Sequence, residues 1–204
     1  AYPYAKLECL YYLMALDAGI QMMPSELRTY GNVSHFLTHR LDRIGNKRIH
    51  IQTLAAMSPL CDSYEDIFTV IRKLNLPYED TQQQFIRMVF NVVARNVDDH
   101  SKNFSFSMNN KGNWRLSPAY DLTYSIDRDA PHYLNRHMLT INGKNEQIKR
   151  EDLEKIAITN DIKDFKQLIS RVEYAINNFE KYATELDIPK QLTHSIQADL
   201  IQLL

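Results

Sequence analysis

The sequence predicts an α+β fold, mainly helical with short β-hairpins, and three observations carry that reading. Apolar residues recur at helical spacing over long stretches, as in Phe85, Met88, Val89, Val92 and Val93. Two extended segments turn on short polar clusters: Ser25 to Leu41 turns at Gly31-Asn32, and Asn103 to Leu116 at Asn109-Asn110-Lys111-Gly112-Asn113. Between the long apolar helix and the second hairpin lies Asn96-Val97-Asp98-Asp99-His100-Ser101-Lys102-Asn103. It places two carboxylates, an imidazole, an ammonium and two amides in eight residues.

Taken in order, the first helix runs from Ala5 to Ala18. Leu7, Leu10, Tyr11, Met14 and Leu16 make a broad apolar stripe, and Gly19 is the stop. Pro24 opens an extended segment, Ser25 to Tyr30, which returns as Val33 to Leu41. Arg43 to Arg48 reads as a solvated basic turn, although it could approach phosphate or a partner. Thr53 to Leu60 is a short apolar helix stopped by Ser58-Pro59. Ser63 is expected to cap a helix carrying Ile67, Val70, Ile71 and Leu74, with Asp66 at the third position of its first turn. Pro77 breaks that helix, and Glu79-Asp80 open the next, Thr81 to Arg95, which delivers the charged loop from its C-terminal end.

The run Asn103 to Met108 alternates polar and apolar residues, the period of a half-buried strand, and Trp114 to Leu116 is its returning partner. Leu122 to Arg136 has no clear period. His132 and His137 fall near its end, lack a third ligand at suitable spacing, and are expected on the surface. Leu153, Ile156 and Ala157 make one C-terminal stripe; Phe165, Leu168, Ile169, Val172, Ile176 and Phe179 make a longer one. Ile188-Pro189 separates a last helix, Gln191 to Leu204.

Composition narrows the class. The 204 residues fit one domain or two small lobes, and 44% hydrophobic with 24% charged residues is ordinary for a globular chain. A net charge of −1 builds in no general attraction for nucleic acid. Cys9 and Cys61 lack metal-ligand spacing and read as reduced, structural thiols. No apolar run reaches the roughly 18–20 residues of a membrane span, and the N-terminus lacks the order of a signal peptide. The expectation is a cytoplasmic chain with no membrane partner.

The charged loop suggests phosphoryl transfer. A kinase needs a carboxylate to orient or deprotonate the acceptor hydroxyl, and an amide oxygen with a second carboxylate to hold magnesium against the ATP phosphates. In protein kinases the base Asp and the metal Asn lie five residues apart, as do Asp98 and Asn103 (103 − 98 = 5). The second metal Asp follows a hairpin, as Asp121 does at 121 − 98 = 23 positions. Lys102 could neutralise charge on the transferring group, and His100 could hold the loop by hydrogen bonding. There is no His-Arg-Asp before the loop, and Asp121-Leu122-Thr123 stands where Asp-Phe-Gly would be. Two other readings remain open: Asp and Asn clusters also make turns and helix caps, and His100 beside Asp99 could be a hydrolase base, although no nucleophile elbow accompanies it.

Asp98 to Phe106 (DDHSKNFSF), followed by Leu116 to Ser125 (LSPAYDLTYS), resembles the C-terminal region of HipA-type serine/threonine kinases, the toxins of bacterial toxin–antitoxin modules. Phe36 to Arg43 is similar to the family's hinge segment, and Met138 to Lys144 to a family strand and turn. The resemblance implies a mainly helical, protein-kinase-like C-terminal lobe. Residues 1–43 would close an N-terminal lobe and form the hinge. Residues 44–204 would form the helical lobe, with a catalytic loop at 96–103 and a metal loop at 118–125. Asp98 would be the catalytic Asp, with Lys102 and His100 beside it; Asn103 and Asp121 would be the Mg²⁺ ligands for ATP. His39, Leu41 and Asp42 would form the adenine hinge. Leu41 replaces an aromatic residue there, a small change because a hinge works through backbone groups. Glu8, early in the first helix, would pair with an ATP-binding Lys, or be a solvated helix charge. The implied partners are a HipB-like helix-turn-helix antitoxin, DNA only through that antitoxin, and a protein substrate such as an aminoacyl-tRNA synthetase.

The chain departs from the pattern in one respect. No Gly-rich phosphate loop and no strand Lys precede Glu8, and the chain has five glycines. The expectation is therefore either an incomplete kinase, whose remaining lobe lies upstream or on another subunit, or a non-catalytic kinase-like binding module.

Overall fold

The computed structural model describes residues 2–201 and 203. Helix α1 (Tyr4–Asp17) leads into an antiparallel hairpin, β1 (Ser25–Tyr30) and β2 (Val33–Thr38), in the register Ser25 to Thr38 through Tyr30 to Val33. The basic segment closes as a two-residue ladder, β3 (Arg43–Ile44) with β4 (Lys47–Arg48). Helices α2 (Leu54–Met57), α3 (Tyr64–Lys73) and α4 (Tyr78–Val93) follow. After the second hairpin, β6 (Ser105–Met108) and β7 (Trp114–Leu116), the chain ends in α5 (Arg150–Thr159), α6 (Phe165–Asn177), α7 (Phe179–Glu185) and α8 (Lys190–Gln197). No helix among the described residues is long and apolar enough to cross a membrane.

Strand β5 (His50–Thr53) lies where no strand is expected, and it pairs antiparallel with β6 to make a three-stranded sheet, β5-β6-β7. Thr53, expected to start a helix, ends this strand. Its Oγ1 then accepts from Ala56 N at 3.3 Å as the N-cap of the four-residue α2. Four apolar-to-polar residues carry too short a pattern to separate from the helix behind them. The long C-terminal stripe is likewise broken, because Asn178 ends α6 and starts α7. The last helix stops at Gln197, short of Leu204; residues 202 and 204 lie outside the described residues. Leu16 is exposed, not part of the α1 stripe.

The core forms around α4, whose residues Gln84 to Val93 are all buried. Phe85, Met88, Val89, Phe90 and Val92 share one buried cluster with Leu7, Leu10, Tyr11 and Met14 of α1 and with Ile169, Val172 and Ile176 of α6. Tyr11 meets Phe90 edge to face, with centroids 6.1 Å apart, a geometry that suits the ring quadrupoles. Along the same helix Asp80, Gln84, Arg87 and Asn91 are also buried, at intervals of four, three and four residues. That spacing lines them on one face. Asp80 takes a bidentate pair from Arg115 (2.8 and 2.9 Å) and the Leu116 amide, Arg87 donates to Ser117 O at 2.8 Å, and Asn91 donates to Tyr64 Oη at 2.9 Å. Helix α4 thus presents apolar faces to the helices and a polar stripe to the second hairpin and the loop before it.

Candidate active site

Helix α4 ends because Ala94 and Arg95 close the last turn, Arg95 in the left-handed region at φ 58°. Asn96 N bonds back to Asn91 O, and Asn96 Nδ2 donates to Asn91 Oδ1, both at 3.0 Å, so the loop leaves the helix in one direction. The next two residues are held from outside: Val97 N and Asp98 N both donate to Ser125 Oγ, at 2.7 and 3.1 Å. The Asp98 side chain stands 60% exposed, whereas Asp99 is fully buried. Neighbours in an extended segment face opposite ways, so one carboxylate meets solvent and the other the core.

Residues Ser101–Asn103 make one 3-10 turn, in which Asn103 N bonds to His100 O at 2.9 Å. The strand expected from Asn103 therefore begins two residues later. Asn103 Nδ2 donates to Asp98 O at 3.0 Å, which binds the two ends of the five-residue interval; Asn103 Oδ1 takes no protein donor among the described residues. His100 Nε2 lies 3.8 Å from Asp98 Oδ1, beyond hydrogen-bonding distance. His100 therefore makes no hydrogen bond to Asp98, and the loop is held by Asn103 and Ser125. Lys102 is exposed, and its carbonyl accepts from Tyr120 Oη at 2.8 Å.

Asp121 sits between these two attachments, after Tyr120 and before Ser125, so the segment 117–125 runs beside the loop 95–103. It is exposed and left-handed, at φ 57°. Aspartate tolerates that conformation better than most residues, and strain of this kind concentrates at functional sites. Burial, and then the charge of Asp121, push the carboxyl of Glu8 up. Glu8 has no ion-pair partner among the described residues.

The hinge candidates connect to the same edge. Ala119 N donates to Gln21 O at 2.8 Å, Met22 bridges Ala119, and His39 N donates to Pro24 O at 3.0 Å, closing the β1–β2 hairpin. The His39 amide is thus already engaged. Arg40 grips Asp42 through Nε and Nη2, each at 2.8 Å, and holds its carboxyl below the usual carboxylate range. Leu41 is half-buried between them, and neither its amide nor its carbonyl is engaged by another backbone group among the described residues.

The donors fit magnesium: an amide oxygen on Asn103 and the carboxylates of Asp98 and Asp121 are hard ligands on adjoining loops, with the acidic Glu8 nearby. Among the described residues no three His, Cys, Asp or Glu side chains form a ready metal cage. A magnesium site completed by substrate phosphates needs only one or two protein carboxylates.

The model of the HipA-like C-terminal domain family matches residues 2–191. The chain belongs to this family. Its fold is similar to HipA in a complex of Shewanella oneidensis MR-1 HipA, HipB and operator DNA, with a TM-score of 0.74 at 16% identity over 96% of this chain and 54% of that one. It is also similar to the Helicobacter pylori proinflammatory kinase CtkA, with a TM-score of 0.57 at 13% identity over 98% and 87%. The HipA-like chain therefore spans about half the length of the Shewanella HipA chain, and its α+β lobe is kinase-like. No curated protein sequence matches it.

Three features escape the sequence reading. Ser125 joins the two loops, the polar stripe of α4 lies behind them, and His137 is buried against Asp99, not on the surface. The stripe was visible as 80/84/87/91 spacing. Asp99 was visible as the inward neighbour of an outward Asp98. Nothing local marks His137, whose burial depends on a partner 38 residues earlier in the chain.

Proposed function

We propose that this HipA-like chain is the part of an ATP-dependent protein serine/threonine kinase that carries its catalytic and metal loops. The observation that supports this best is the double attachment of Asp98: its amide to Ser125 on the segment bearing Asp121, and its carbonyl to Asn103. The backbone of one exposed aspartate is thereby tied to the segment bearing one candidate metal ligand and to the side chain of the other. Asp98 would orient the acceptor hydroxyl and take its proton as the serine oxygen forms its bond to the γ-phosphorus and the bond to the ADP oxygen breaks. Asn103 Oδ1 and the Asp121 carboxylate would hold Mg²⁺, which neutralises phosphate charge during transfer. Lys102, exposed on the same turn, would face the transferring phosphoryl group, and the backbone at Leu41 would meet adenine. Residues 1–43 would supply the hinge and 44–204 the helical lobe. A HipB-like antitoxin as partner is supported by the composition of the Shewanella complex.

A second reading is a non-catalytic kinase-like binding module; Glu8, half-buried with its carboxyl pushed up and no cationic partner among the described residues, favours it. Thermal unfolding of the chain with Mg-ATP, beside Asp121→Asn, tests the shared nucleotide site. Ligand at 100 times its Kd should stabilise by about 2.7 kcal/mol. A magnesium-dependent rise in Tm that Asp121→Asn abolishes is expected; no rise in either protein overturns the site in this chain. Transfer of labelled phosphate to protein by the full reading frame separates the two readings. Loss in Asp98→Asn with nucleotide binding retained is expected for the kinase. Transfer that survives this change removes Asp98 as base, and binding without transfer selects the module.

A further inference from the structure

We propose that Asp99, gripped by Tyr64 and His137, is the positioning residue of the loop that presents Asp98, an inference that rests on the reading of Asp98 as the base. The Asp99 carboxylate is wholly buried and accepts from Tyr64 Oη at 2.7 Å, His137 Nδ1 at 2.8 Å, Met138 N at 2.8 Å and Leu139 N at 3.5 Å. Removing a carboxylate from water costs several kcal/mol unless strong donors replace the lost hydration, and here four donors converge on two oxygens. The donors belong to separate parts of the fold: Tyr64 opens α3 and in turn accepts from Asn91 of α4, while His137 to Leu139 lie beyond the metal loop. Burial and the Asp99 charge push the Tyr64 phenol well above its usual range, so it remains a donor. The carboxylate at Nδ1 assigns that nitrogen the His137 proton.

The position of the grip in the chain gives it a mechanical role. Val97 N and Asp98 N are held by Ser125, Asp99 by His137, and Val97 O accepts from Met138 N at 3.1 Å. Residues 126–136 therefore form a loop whose two ends both close on Asp98 and its neighbours. Its middle, Asp127 to Asp129 and Pro131 to Leu134, is exposed. The backbone beside the base is thus fixed from both ends of this segment, whereas the carboxylate of Asp98 itself faces solvent.

The test compares His137→Leu, His137→Asn and Tyr64→Phe in the full reading frame, by amide hydrogen exchange and by phosphotransfer kinetics. Asparagine can place a donor near the Nδ1 position; leucine cannot. Exchange at residues 97–103 should rise about 10-fold or more in His137→Leu, return towards wild type in His137→Asn, and leave the α6 amides unchanged. The value of kcat should fall at least about 10-fold with the KM for Mg-ATP unaltered. Tyr64→Phe, which removes one oxygen and keeps the ring, should give the same local pattern and serves if the leucine variant unfolds. Unchanged loop exchange in both His137→Leu and Tyr64→Phe overturns the positioning role. Loop exchange that rises in a protein whose wild type transfers no phosphate overturns the kinase reading and leaves the grip standing.

Discussion

Single residues in this chain are distinguished mainly by which way they face. Asp98 and Asp99 are chemically identical neighbours, one in solvent and one in the core, and only the pleat between them sets their roles. The candidate site was legible at this scale because it is local: the Asp98–Asn103 interval and the Asp121 that follows a hairpin are sequence distances. Cys61 offers a test of the same kind. Its buried thiol, 8% exposed, is pushed up to about 11, chiefly by desolvation. At pH 8 the thiolate fraction is then about a thousandth, and alkylation of the folded protein should run roughly two orders of magnitude slower than for a free thiol. The linkage to stability follows in sign. A folded-state value above the unfolded one means the contribution is complete below about pH 9 and is lost as pH rises through about 11. The buried Tyr11 and Tyr64 phenols are raised and act in the same direction; Arg87, lowered to about 10, acts in the opposite direction only above that pH. Urea midpoints should therefore fall between pH 9 and 10, with a shallower slope in Cys61→Ala. An equal slope in that variant removes Cys61 from the account.

Among the elements, α3 shows how a start signal becomes a structure. Ser63 Oγ accepts from Asp66 N at 3.2 Å, and Asp66 Oδ2 takes the Ser63 hydroxyl at 2.6 Å and the Asp62 amide at 3.3 Å. Ser63→Ala should cost about 1 kcal/mol and lower the Tm by about 2–4 °C, as measured by calorimetry. A shift below half a degree would mean that the Tyr64 anchor alone holds the helix start. Caps, prolines and apolar stripes made α1, α3, α4 and α5 readable, since each is encoded within one turn of itself. Strand β5 was not, because His50 to Thr53 become a strand only by pairing with β6, more than fifty residues later. The break at Asn178 was hidden for the converse reason: Phe179 continues the apolar period across two helices.

Across the whole molecule, stability is concentrated around α4 and thins towards the β1–β2 hairpin, where Tyr30 and Val33 are 63% and 57% exposed. Phe90→Ala removes a fully buried ring that meets Tyr11, and should cost about 3–5 kcal/mol in denaturant unfolding. Val33→Ser should stay within about 0.5 kcal/mol. Comparable losses from both would mean that the hairpin belongs to the cooperative core. The polar stripe of α4 gives this arrangement a further property. A purely apolar helix can roll by a few degrees in its socket and find another acceptable packing. Helix α4 has Asp80 bound to Arg115, Arg87 to Ser117 and Asn91 to Tyr64 along its length, so it has a single angular setting. Asn91 also bonds to Asn96, the first residue of the loop. The helix therefore works as an indexed shaft: rolled by even part of a tooth, it would lose several bonds at once, and the heading of Asp98 is locked to that index.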